Sequence, residues 1–312
     1  MQERPLTLSS QDEHTISGTM FCPERPVAVL VIAHGMAEHA GRYADFARWL
    51  AKRDIAAVTY NHRGHGPQCP EDQLGHYSDQ NGWAKVVDDL HRVLLDTRKH
   101  FPNIPLVLLG HSMGSFIAQS CAQQYPDCLD ALILSATNRI HRPSLIVSRL
   151  LISGIRKLHG NHHLSPTIAK MSFGRFNNQF KPNRTECDWL SRDTAQVDRY
   201  VADPLCGFEC TTGLWHDFIN GMLTIAPSQW RKDLPVHLFA GTDDPVGEMG
   251  EGVSRHYQSI RKAGSHTVTL KLFDKGRHEM LNELNAEEVW SYVYSLLSQY
   301  LSPAEAQSEV TG

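Results

Sequence analysis

Long apolar runs are missing from this sequence of 312 residues. No stretch of about 18 consecutive apolar residues occurs, so a transmembrane helix is not expected. The opening residues, MQERPLTLSSQDEH, lack a basic stretch followed by an apolar one, so a secretory signal is not expected either. Cysteine is sparse and unpatterned. Cys22, Cys69, Cys121, Cys128, Cys187, Cys206 and Cys210 are odd in number, irregular in spacing and contain no C-x-x-C. Free thiols in a reducing compartment are the default for such a set, the C-x-x-x-C pair of Cys206 and Cys210 included, and a cytoplasmic location is the expectation. A basic stripe with interleaved aromatics is absent. With 30 Lys and Arg against 34 Asp and Glu, the net charge is −4, which argues against nucleic acid as a partner. There is no internal repeat and no low-complexity segment.

What remains is globular composition, 41 % hydrophobic and 21 % charged, in a chain long enough for a sizeable core without disulfides or a structural metal. The length suits two ordinary domains or one large α/β domain with an insertion. Residues 5–22 alternate weakly around a Ser-Gly turn and read as a β-hairpin. Short, continuous apolar runs follow at VAVLVIAH (27–34), IAAVTY (55–60), PLVLLG (105–110) and LDALILSA (129–136). Such runs suit strands buried on both faces of a parallel sheet. Helical spacing separates them over 42–53, over 80–100 (Trp83, Val86, Val87, Leu90, Val93, Leu94) and after residue 111. Strands alternating with helices imply βαβ crossovers and a parallel sheet. The alternation stops over 138–222, which is helical or irregular. It resumes with PVHLFAG (235–241), a helix near 248–263, HTVTLKLF (266–273) and a helix over 283–301. The organisation is therefore an α/β core over 1–137 and 223–302, an inserted cap over 138–222 and a disordered tail over 303–312.

Chemistry concentrates at Gly110-His111-Ser112-Met113-Gly114. This fits G-x-S-x-G, and it stands where a strand runs into a helix, the context that pushes a serine above the sheet of an α/β-hydrolase. A serine hydroxyl is a weak nucleophile at neutral pH and needs a base, itself oriented by a carboxylate. The expected chain order is Ser, then Asp or Glu, then His, each after a strand. Gly241-Thr242-Asp243-Asp244-Pro245-Val246 and Lys275-Gly276-Arg277-His278-Glu279 meet that requirement. His278 is the candidate base. Asp243 and Asp244 compete for the third role, with capping of the following helix as the ordinary alternative. The oxyanion hole needs two donors. The Met113 N–H at the helix start and the Met36 N–H in His34-Gly35-Met36-Ala37-Glu38-His39 are the candidates. His62 and His65 read as loop hydrogen-bonding groups. His159, His162 and His163 read as solvated surface, so neither a metal nor another cofactor is expected.

The motifs HGMAEHAGRY, NHRGHG, GHSMG, VADPL, GTDDPV and RHEMLNE occur in order from about residue 12 to 300. Together they resemble the monoacylglycerol lipase and lysophospholipase branch of the α/β-hydrolases, also grouped with serine aminopeptidase S33. The resemblance implies Asp244 rather than Asp243 in the triad with Ser112 and His278. It also implies Met36 as an oxyanion donor. Glu38, Arg42 and Tyr200 would then lie near the substrate, and His111 beside the nucleophile is grouped with them as a substrate contact. The sequence departs from the family pattern at Ala37, Asn61 and Ser115. Ala37 and Ser115 are expected to narrow the space beside the oxyanion loop.

The expected reaction is acyl transfer from an ester of a small alcohol through an acyl-enzyme. An aminopeptidase or amidase using the same triad is the alternative, and a non-catalytic binding protein on the same fold is the rival from another class. LIVSRLLISGIRKL (145–158) reads as an amphipathic helix with Val147, Leu151, Ile155 and Leu158 on one face and Arg149, Ser153, Arg156 and Lys157 on another. It is either a lid in transient contact with a membrane surface or a cap helix with an ordinary solvated face.

Overall fold

The computed structural model describes residues 1–264 and 267–301; the expected tail over 303–312 lies outside them. Eight strands form one sheet: β1 (Gln2–Ser9), β2 (Thr15–Cys22), β3 (Ala28–Ala33), β4 (Ile55–Tyr60), β5 (Leu106–His111), β6 (Ala131–Ser135), β7 (Val236–Gly241) and β8 (Val268–Phe273). Their order is β1-β2-β4-β3-β5-β6-β7-β8. The first two pairings are antiparallel and the rest parallel.

The apolar runs become strands because both of their faces are covered. In β3, Val29 and Val31 face one apolar cluster while Leu30 and Ile32 face another. The first cluster takes in Val86, Leu90 and Val93 of α2 (Gly82–His100) after α1 (Ala44–Ala51), and Ile117 of α3 (Met113–Gln124). The second takes in Phe46 and Leu50 of α1 and Val289 and Val293 near the chain's end. β8 alternates partial and full exposure along most of its length, as an edge strand does.

The hairpin turn differs from expectation. It lies at residues 10–14, and Ser17 and Gly18 sit inside β2. The Ser10 hydroxyl donates to Asp12 at 2.6 Å and accepts the His14 N–H at 2.9 Å, building the turn from side chains. Gly18 is needed for a close approach instead, because a Cβ there would meet the Thr59 carbonyl oxygen of β4 at 2.0 Å.

Between β6 and β7 stand α4 (Arg142–His159), α5 (Pro166–Met171), α6 (Phe173–Phe176), α7 (Thr194–Ala202) and α8 (Thr212–Thr224). α8 closes on the core: its Leu214, Phe218 and Met222 join the apolar cluster of α2 and α3. In α4 only Ile152 is buried, with Leu145 and Ile155 half-buried beside it, packed near Ile168 and Ile219. Ile155 therefore separates from the face assigned to it by sequence, and Val147, Leu151 and Leu158 are exposed. Two helices complete the fold, α9 (Glu251–Lys262) and α10 (Ala286–Ser298). Among the described residues no helix is long and apolar enough to cross a membrane.

Candidate active site

All the predicted catalytic segments leave the sheet at the carboxyl ends of parallel strands, where open α/β sheets place their sites. β5 ends at His111 and α3 begins at Met113, so Ser112 alone makes the turn. Its φ of 50° and ψ of −118° are strained for a residue with a Cβ. Glycines on both sides make that turn feasible. A Cβ at Gly110 would meet the Gly114 carbonyl oxygen at 2.5 Å, and one at Gly114 would meet that of Ala33 at 2.2 Å.

After β7, Asp244 is fully buried, and its Oδ1 faces His278 Nδ1 at 2.9 Å. The same oxygen accepts the Val246 N–H at 2.9 Å. Asp243 turns elsewhere, with its N–H on the Gly276 carbonyl and its carboxylate on the Thr242 hydroxyl. Neither carboxylate caps α9, whose N-cap is Gly250. The imidazole of His278 is 3 % exposed. Burial lowers its pKa, but the Asp244 charge and hydrogen bond, helped by Glu279 and Glu38, outweigh this and leave it raised. The Trp189 ring packs against it at 5.0 Å. Among the described residues the Ser112 hydroxyl makes no hydrogen bond, and the Met36 and Met113 amides donate to no protein acceptor.

Ser112, Met36 and Met113 line one cavity of about 570 Å³. Phe116, Trp215, Phe218 and Met222 form an apolar wall, and Asn138, Arg175 and Glu248 supply polar edges. Glu248 is paired with Arg139 at 2.9 Å.

Glu38, Arg42, His111 and Tyr200 are not among the residues lining this cavity. Glu38 accepts the Gly35 N–H at 2.5 Å and the Tyr43 hydroxyl at 2.8 Å, both on Oε1. Arg42 donates to Glu38 at 2.8 Å and reaches Glu279 with two bonds of 2.5 and 2.6 Å. Glu38 is buried and Arg42 nearly so, and their mutual bonds commit them to one another and make them the frame of the loop after β3. His111 contacts the Ser135 hydroxyl, and burial followed by the nearby His278 lowers its pKa to about 4, keeping it neutral. Tyr200 lines a neighbouring cavity; its hydroxyl donates to the Ala37 carbonyl at 2.9 Å.

Ala37 holds a left-handed φ of 54°. Four bonds impose it: its carbonyl also accepts the Gly207 N–H, its own N–H donates to His65 Nε2 at 3.2 Å, and the loop continues into Ala40 bonded to Asn61. The Ser115 hydroxyl does not enter the cavity. It donates toward the Ser112 carbonyl and lies 2.9 Å from Thr137. His62 and His65 are thus buried parts of the scaffold. Sequence reasoning missed Trp189, which had no signal beyond being an aromatic in the insertion. It also missed Glu279, whose place next to His278 was a usable one.

Because Arg42 is buried, removing one carboxylate leaves it under-compensated. Glu279→Ala is expected to cost about 3 kcal/mol of stability. A urea titration checks this, and a loss below about 1 kcal/mol at constant m-value would show the bridge to be dispensable.

Known proteins are similar to this chain over most of its length. The pattern of the family described as serine aminopeptidase, S33 matches residues 24–285. The human monoglyceride lipase is 26 % identical over 293 residues, covering 90 % of this chain and 84 % of the relative. The monoacylglycerol lipase of Mycolicibacterium smegmatis is 26 % identical over 308 residues, covering 94 % of this chain and 100 % of the relative. Among solved structures, a thermostable carboxyl esterase from Bacillus coagulans superposes with a TM-score of 0.88 at 23 % identity, covering 97 % of this chain and 100 % of that one. With strand order, helices on both faces and the family pattern in agreement, this chain has the α/β-hydrolase fold and belongs to the serine aminopeptidase S33 family.

Proposed function

We propose that this chain is a serine hydrolase that cleaves acyl esters of small alcohols, of the monoacylglycerol or lysophospholipid class. The observation that carries this reading is Ser112 in the lining of a mostly apolar cavity that Met36 and Met113 also line, their backbone N–H groups without protein acceptors among the described residues. An acyl chain fits along Phe116, Trp215, Phe218 and Met222, with its carbonyl over Ser112. His278 takes the hydroxyl proton as the oxygen attacks. The Met36 and Met113 amides hold the oxyanion, and Asp244 holds the imidazole and stabilises its charged form. The alcohol leaves with the proton from His278. Water then adds to the acyl-enzyme by the same route and frees the acid.

The names of the relatives support an ester as substrate. Cleavage of an aminoacyl amide is the weaker reading: it needs a carboxylate to receive the free amine, and Glu248, which lines the cavity, is committed to Arg139.

The same reading places α4 on a lipid surface. Val147, Leu150 and Leu158 are 66, 64 and 80 % exposed, and Arg142, Arg149, Arg156 and Lys157 lie on the same helix. An exposed apolar stripe with Lys157 at its edge, on a helix that carries further cations, suits an anionic bilayer interface.

Ser112→Ala is expected to abolish ester turnover and fluorophosphonate labelling with an unchanged circular dichroism spectrum; turnover persisting near the wild-type rate would remove Ser112 from the reaction. The pKa of His278 lies above its ordinary 6.5, so the neutral base accumulates only as pH rises through that higher value. The acid limb of kcat/KM is therefore expected above pH 6.5. Asp244→Asn should move it down and lower kcat by about four orders of magnitude. A limb that stays in place in this variant would contradict the pairing. Leu150→Glu with Leu158→Glu should reduce sedimentation with anionic vesicles and hydrolysis of vesicle-borne substrate, while a soluble p-nitrophenyl ester is cleaved as before. Equal vesicle binding would exclude α4 as the contact.

A further inference from the structure

At the root of the cap, three candidate ligands converge from distant parts of the sequence. His76 and Asp79 belong to the loop before α2, and His162 follows α4. His162 Nε2 lies 2.9 Å and His76 Nε2 3.4 Å from Asp79 Oδ1, and the three ligand atoms all fall within 4.8 Å of one another. The two imidazoles face each other at 4.0 Å. We propose that His76, Asp79 and His162 bind one divalent transition-metal ion of the zinc type, with water completing the coordination.

The first support is an unsatisfied atom. His76 is 4 % exposed, and its Nε2 has no hydrogen-bond partner; the contact to Asp79 is close, but its angle does not make a hydrogen bond. Its other nitrogen, Nδ1, lies 3.0 Å from the Thr211 hydroxyl. That hydroxyl accepts the Leu214 N–H and reaches the Gly75 carbonyl at 3.1 Å. When its hydrogen goes to Gly75, it is an acceptor toward His76 as well. The ring proton then sits on Nδ1, and a lone pair at Nε2 faces a carboxylate. A cation between them resolves that opposition, with Thr211 as the outer partner that orients a metal-bound imidazole.

The spacing also suits the ion. Tetrahedral zinc with bonds near 2.0–2.1 Å separates its ligand atoms by about 3.3 Å. The surrounding charge is favourable, since the carboxylates acting on His76 are those of Asp79 and Asp217. The two segments are already held in place: Asn161 donates to the Asp79 carbonyl, Thr211 N–H to Gly75, and Gly213 N–H to Asn161. The ion would pin the root of the cap to the core. A second cluster, His39, Asp203 and Cys206, is a poorer candidate because the Arg42 charge acts on both Asp203 and Cys206.

The test uses the full chain without an affinity tag, stripped with a chelator and titrated with Zn²⁺ against a chromophoric chelator. One ion per chain is expected, together with a rise in Tm at saturating Zn²⁺. Asp79→Asn and His162→Ala change exposed side chains, so the fold should persist, as circular dichroism verifies. Each should weaken Zn²⁺ binding by roughly tenfold or more and abolish the rise in Tm, whereas His39→Ala should change neither. Wild-type protein that fails to compete with the chelator, variants that bind like wild type, or loss of the ion in His39→Ala alone would each overturn the assignment.

Discussion

The guanidinium of Arg42 joins the two halves of the site. It holds Glu38, which shapes the loop after β3, and Glu279, which adjoins the base on the loop after β8. These loops come from strands separated in the sheet by β5, β6 and β7, so backbone pairing alone does not set the distance between them. A fixed cation between two carboxylates does, and the largely buried setting makes the geometry stiff, because separating the charges would leave each without its counter-charge in a region of low dielectric. Glu38 passes the constraint on through its bond to the Gly35 N–H, one residue before Met36. The amide proposed to meet the oxyanion is thereby positioned by a salt bridge outside the lining of the Ser112 cavity.

The proposed nucleophile is positioned by a different device. Ser112 sits in a strained turn because Gly110 and Gly114 let the strand, the helix and the neighbouring loop approach within distances no side chain would permit. The sheet on one side and α3 on the other over-determine the turn, so its strain persists in the folded protein. The hydroxyl is therefore displayed by rigid elements, while the base and the oxyanion loop are tuned by polar contacts.

The strands, their order of appearance and the interruption between β6 and β7 were legible because each depends on local apolar patterning. The positions of Ser112 and of the loops that carry Asp244 and His278 were legible because each follows a strand within a few residues. Choosing between Asp243 and Asp244 was not possible from patterning, since only the imidazole's position separates them. Nor could patterning say whether Glu38, Arg42 and Tyr200 line the cavity that holds Ser112, which they do not. Motifs identify residues near a site but not which way they face, and here Glu38 and Arg42 face one another while Tyr200 lines a neighbouring cavity. The hairpin turn was misplaced because Ser17-Gly18 looked like a turn, whereas Gly18 serves a cross-strand approach to Thr59.

The cap supplies part of the catalytic frame as well as a roof. Tyr200 and Gly207 donate to the Ala37 carbonyl and brace the oxyanion loop from above. The carbonyls of Trp189 and Leu190 receive the N–H groups of His278 and Glu279, and Arg277 donates to the Asp188 and Ser191 carbonyls. Both loops that the sheet leaves free are thus tied to the insertion. A displacement of α7 or of residues 187–191 would disturb the oxyanion donor or the base before it opened the cavity. α4 and α5 stand apart from these ties, and their packing rests on the small cluster of Ile152, Ile168 and Ile219.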